Sequence, residues 1–124
     1  MKWIWVFAMG GVGALARMAL AGLFPVRLLP WGTLLVNVIG CLVIGILFAI
    51  FEEERVLPPE WRVAIVGGFL GGFTTFSAFG LDLFVLTQSG QWTTAGLYAF
   101  ASLVLGFVAV AAGVFGTHAV LARL

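Results

Sequence analysis

The residues with the clearest chemical potential lie in one stretch, Gly67-Gly68-Phe69-Leu70-Gly71-Gly72-Phe73-Thr74-Thr75-Phe76-Ser77-Ala78-Phe79. Four glycines and two adjacent threonines interrupt a run that is otherwise apolar, and both residue types are poor material for a helix interior. Non-helical backbone at membrane depth is tolerated only where protein or water meets the freed polar groups. The stretch is therefore expected to line an ion site or a pore. A break between Gly71 and Thr74 would expose carbonyl oxygens, and carbonyls alone can surround a cation. Phe76 and Phe79 are three apart and share a helical face, in the company of Thr74, Thr75 and Ser77. An aromatic ring carries a positive edge. Ring edges together with hydroxyl and amide donors can hold a small anion without a full charge, so that it also leaves.

Other polar side chains fall inside apolar segments. Thr33 and Asn37 are four apart with Gly40 a turn further, so the three share one face. Asn37 either bonds between helices or aims an N–H at a passing anion. Arg17 admits three readings: snorkelling to an interface, a vestibule charge that draws anions inward, or a pairing with Asp82. Tyr98 and Ser102, also four apart, can line the same path or pack. His118 reads as an interfacial residue, and Cys41 as a small packing residue.

These residues need elements to place them. Of the 124 residues, 63% are hydrophobic and 9% charged, far from the soluble average of about 25% charged. The chain is expected to be an all-α integral membrane protein forming a single membrane domain, residues 1–124. Four apolar stretches approach or exceed the ~20 residues a spanning helix needs, at about 3–24, 31–51, 61–85 and 93–121, the third broken. Prolines 25, 30, 58 and 59 fall between them, and all five tryptophans (3, 5, 31, 61 and 92) stand at span starts, as in an interfacial belt. Lys2, Arg55, Arg62 and Arg123 against Arg27 alone favour a cytoplasmic N-terminus. The run ending Ala14-Leu15-Ala16 resembles a signal peptide, but its single lysine and the Arg17 that follows fit a retained span better. With one His and one Cys there is no metal-ligand set of side chains. Ser77 lacks the glycine flanks of a nucleophile elbow. An enzyme is not expected, nor an organic cofactor, nor nucleic-acid binding, which needs clustered Lys and Arg.

Three motifs together resemble the Fluc (CrcB) family of small bacterial fluoride channels. They are Gly10-Gly11-Val12-Gly13-Ala14-Leu15-Ala16-Arg17, Gly32-Thr33-Leu34-Leu35-Val36-Asn37-Val38-Ile39-Gly40, and Gly71-Gly72-Phe73-Thr74-Thr75-Phe76-Ser77-Ala78-Phe79, in this order on spans one to three. The resemblance implies passive export of cytoplasmic fluoride across the bacterial inner membrane. It implies an antiparallel dimer with two pores along the interface. The dimer would be of identical chains or of two oppositely oriented paralogues. By the same resemblance Asn37 contributes to the fluoride path, and the ring edges of Phe76 and Phe79 contact the ion. Thr75 and Ser77 match polar pore-region positions, Tyr98 and Ser102 match polar positions on the fourth span, and Arg17 matches the first-span arginine; Thr33, on the face of Asn37, is a further candidate for the pore. The backbone carbonyls of Gly71 and Thr74 would hold a structural sodium ion. Ala78 stands where the family usually has threonine, and Gly106 where some relatives carry serine.

Two other classes compete. A small proton-coupled multidrug exporter needs a membrane-embedded carboxylate, and Asp82 lies near the end of its span. A non-transporting scaffold explains the glycines but leaves Asn37, Phe76, Phe79 and the threonine pair without a purpose.

Overall fold

The computed structural model describes residues 1–25, 29–52 and 57–124. Arg27 and Arg55, two charges of the orientation count, lie outside the described residues. The described residues form helices only: α1 (Lys2–Gly22), α2 (Trp31–Glu52), α3 (59–73), α4 (Phe76–Gln88) and α5 (Trp92–Leu121). Helices α3 and α4 together make one interrupted span, so four stretches are long and apolar enough to cross a membrane. The protein is a multi-pass membrane protein.

Helix α3 is irregular from its first turns. Pro59 occupies its first position, where the missing N–H is no loss. From Val63 to Leu70 the backbone runs as a π-helix, with wider i→i+5 turns. One short α turn, Gly71–Phe73, leads into the break. Between α4 and α5 the chain reverses at Gly90, whose φ of 75° only glycine adopts freely. The Gln91 N–H returns to the Leu86 carbonyl at 2.8 Å and the Gly90 N–H to the Thr87 carbonyl at 3.0 Å. This double bond pattern closes the end of α4.

The rings of Trp5 and Trp61 lie 5.3 Å apart. Arg62 Nη2 donates to the Phe51 carbonyl at 3.0 Å, and His118 Nε2 is 3.2 Å from Glu52 Oε2. The starts of α1 and α3 and the ends of α2 and α5 thus gather on one side. All five tryptophans are exposed, as an interfacial belt requires.

Two close pairings organise the bundle, α2 with α5 and α1 with α3. Glycines make both possible. A methyl at Gly45 would strike the Val110 carbonyl, and one at Gly13 the Phe69 carbonyl. Of the glycine pairs in α3, Gly68 and Gly72 do lie against α1, while Gly67 and Gly71 meet no neighbouring helix. A small cluster of Leu34, Leu86, Ala95 and Tyr98 packs α4 onto α2 and α5. Burial is otherwise slight, between 6% and 28% of the most apolar window of each span. Most helix surface therefore faces outward, where lipid tails are as apolar as leucine.

Candidate functional site

The third span breaks at Thr74 and Thr75, which are extended, with φ/ψ of −83°/157° and −149°/119°. Several of the backbone groups freed near the break are met by specific partners. Thr74 closes α3: its N–H and its Oγ1 both donate to the Leu70 carbonyl, at 3.0 and 2.9 Å. Thr75 opens α4: its Oγ1 accepts the Ala78 N–H at 3.2 Å, an N-cap. Ser77 Oγ lies 3.3 Å from the same hydroxyl. The Asn37 side chain then behaves like a neighbouring strand. Its Oδ1 accepts the Thr75 N–H at 2.9 Å and its Nδ2 donates to the Thr75 carbonyl at 3.0 Å. Gly40, one turn along α2, leaves room for Thr74, because a methyl there would collide with Thr74 Cγ2.

Arg17 reaches the break from α1, where its Nε donates to the Gly72 carbonyl at 3.1 Å. The pairing of Arg17 with Asp82 is not formed. Asp82 Oδ2 instead accepts the Tyr98 hydroxyl at 3.1 Å. The correction has a geometric cause: Arg17 lies over α3, whereas Asp82 turns toward α5. Thr33 approaches the same phenol oxygen.

Some carbonyls remain unmet, those of Gly71 and Thr74 among them. In an unbroken helix Gly71 would accept the Thr75 N–H, and Thr74 would accept the Ala78 N–H. Both amides are diverted, one to Asn37 and the other to the Thr75 hydroxyl. Among the described residues no other backbone N–H replaces them.

Beside the break lies a depression of about 430 Å³. Asn37, Gly71, Thr74, Thr75, Phe76, Phe79 and Ser102 all line it, so the fold unites seven of the residues singled out from sequence. Phe76 and Phe79 stand 5.8 Å apart between centroids, tilted by 44°. Phe76 is 82% exposed, so its ring projects out of the chain. Phe79 leans on Tyr98 at 5.2 Å. Thr33, Ser77, Tyr98 and Arg17 do not line the depression; they support its walls or lie beside them. Among the described residues the wall carries no charged side chain. Its remaining donors are neutral: the second Nδ2 hydrogen of Asn37, the hydroxyls and the ring edges.

Sequence reading missed two features. The Tyr98–Asp82 bond joins residues sixteen apart in the chain, and only the α4–α5 reversal brings them level. The wide-turned stretch in α3 has no recognised local signature, although its glycines hinted at irregular backbone.

Comparison with known proteins covers most of the chain. The model of the family described as "CrcB-like protein, Camphor Resistance (CrcB)" matches residues 4–114. A protein of Acidobacterium capsulatum named "Fluoride-specific ion channel FluC" is 42% identical, covering 89% of this chain and 90% of its own. "Fluoride-specific ion channel FluC 1" of Nitrobacter hamburgensis is 41% identical over 92% of this chain and 95% of its own. A protein of Rhizobium leguminosarum bv. trifolii, again named "Fluoride-specific ion channel FluC", is 44% identical over 84% and 86%. The matched region contains the whole of the first three spans' polar constellation, and the chain belongs to the CrcB-like family.

Proposed function

We propose that this chain is a subunit of a passive, fluoride-selective channel that exports fluoride from the cytoplasm. Its role is transport, and no catalytic step is involved. The observation that carries the reading is the uncharged depression at mid-span, where Asn37, Thr75, Ser102 and two phenylalanines converge. A small, strongly hydrated anion needs donors to replace water, and needs them weak enough to release it. Hydroxyls, an amide and ring edges meet both conditions. Names of relatives point to the same ion.

One chain does not enclose a path. With Phe76 largely exposed and the spans thinly buried, the second wall is supplied by another copy. We take the assembly to be an antiparallel dimer with pores along its interface. The carbonyls of Gly71 and Thr74 fit a hard monovalent cation, because they are neutral oxygens freed by the break and no acidic cluster lies among the described residues. Sodium bound there would offset the carbonyl dipoles of both copies at once. Arg17 raises the local concentration of anions near the break.

The test is efflux from liposomes holding the purified protein, with valinomycin and potassium balancing charge and a chloride-loaded set in parallel. Fast fluoride efflux without chloride leak is expected. Folded protein that passes neither ion, or passes both, overturns the reading.

A further inference from the structure

We propose that the sulfur of Cys41 faces the ion path, and that the path follows α2 from Asn37 to Ile44, so that a thiol adduct stops transport. The inference deepens the channel reading and rests on it. Asn37, Gly40, Cys41 and Ile44 are spaced i, i+3, i+4 and i+7, which sets them on one face of α2. All four line the depression, and Cys41 is partly exposed there. A cysteine on an apolar helix would ordinarily be filler.

Two observations on the opposite wall argue otherwise. Ser102 Oγ, on α5, is buried and has no hydrogen-bond partner among the described residues, although Ser102 borders the same depression. An orphaned buried hydroxyl at the edge of a cavity points to something that completes it, a water or an ion. One turn further along α5 is Gly106, which has no side chain to offer. A methyl built there would stand 3.4 Å from Cys41 Sγ. The thiol therefore borders the space into which a side chain at 106 would extend. It presents a weak S–H donor at that level, where α5 presents none. Asn37, Ser102 and Cys41 then form a descending series of neutral donors across the depression.

Cys41 is the single cysteine of the chain, which makes the test clean. Liposome-held wild type is treated with methyl methanethiosulfonate. The Cys41 thiolate attacks the reagent's sulfenyl sulfur, methanesulfinate leaves with the bonding pair, and the thiol proton goes to water. A mixed disulfide results. Mass spectrometry counts adducts per chain, and fluoride efflux is read before and after.

Complete modification should slow efflux by about tenfold or more, since a channel constriction tolerates little added bulk. Dithiothreitol should restore it. Cys41→Ser is the second arm: the quantity compared is its efflux with and without reagent, and that ratio should be one. Fully modified wild type with undiminished efflux overturns the proposal. So does a folded channel whose Cys41 takes no adduct, because a thiol on the path must meet the reagent. Loss of efflux in treated Cys41→Ser also overturns it. An untreated wild type without fluoride efflux would instead reject the channel reading itself.

Discussion

Replacing Asn37 by leucine tests the account of the broken span most directly. The substitution keeps the side-chain volume roughly constant and removes both bonds to Thr75, at 2.9 and 3.0 Å. Interhelical side-chain bonds in a bilayer average about 0.6 kcal/mol and reach about 1.7. On that scale two bonds are worth about 1–3 kcal/mol. Leaving a dry backbone N–H or carbonyl unmet is worse, about 1–3 kcal/mol for each group. Both bonds at this site are only partly buried, so water will meet some of the loss. A net destabilisation of about 2–4 kcal/mol is the expected value. It can be measured by reversible unfolding in mixed micelles, followed through the five tryptophans. One escape exists. The Thr75 N–H could return to the Gly71 carbonyl and heal the helix. Stability would then recover, but the Gly71 oxygen would no longer be available, and any dependence of the assembly on sodium would vanish. Asn37→Leu with wild-type stability and unchanged sodium dependence would refute the reasoning on both branches.

Phe76→Ile and Phe79→Ile should each lower fluoride efflux while the dimer still forms; undiminished efflux in both, with dimer verified by cross-linking, removes the ring edges from the mechanism. Purification without sodium should speed subunit exchange between differently labelled dimers, and equal exchange rates in the two buffers would remove the cation from the Gly71 and Thr74 carbonyls. Gly113→Ala drives a methyl toward the Leu42 carbonyl and the Ile46 nitrogen, and overpacking of this kind destabilises by about 1–3 kcal/mol. Gly116→Ala, on the same helix but facing open space, should be within about 0.5 kcal/mol of wild type. Equal unfolding midpoints for the two alanine variants would show that α5 is not pressed onto α2.

The spans were legible because hydrophobic length and proline punctuation act locally. The second was expected at 31–51 and forms at Trp31–Glu52; the fourth was expected at 93–121 and forms at Trp92–Leu121. The interruption of the third was legible for the same reason, since glycine and threonine weaken a helix wherever they stand. Its position shifted slightly, from Gly71–Thr74 to Thr74 and Thr75, because threonine hydroxyls can cap both sides of a gap and glycine cannot. Partners were harder to read. Asn37 and Thr75 were each singled out, but that one bonds the other depends on how α2 is rotated against the break. Arg17 and Asp82 looked complementary by depth alone. Depth is encoded by sequence position, whereas direction around the bundle is set by where the glycines let helices meet.

The break in the third span is held largely from outside it. Arg17 comes from α1, Asn37 and the clearance at Gly40 from α2, and only the threonine hydroxyls are its own. Where residues 59–88 reach lipid before they pack against α1 and α2, none of those partners is present. A gap with unmet amides is intolerable in lipid, so a segment in that state is a continuous helix, Thr75 still bonded within its own span. The extended dipeptide is then created by docking, when the Asn37 amide outcompetes the Gly71 carbonyl for a single N–H. Insertion and shaping of the break are in this sense separate events, and a variant can complete the first, reach the membrane in full amount, and never accomplish the second.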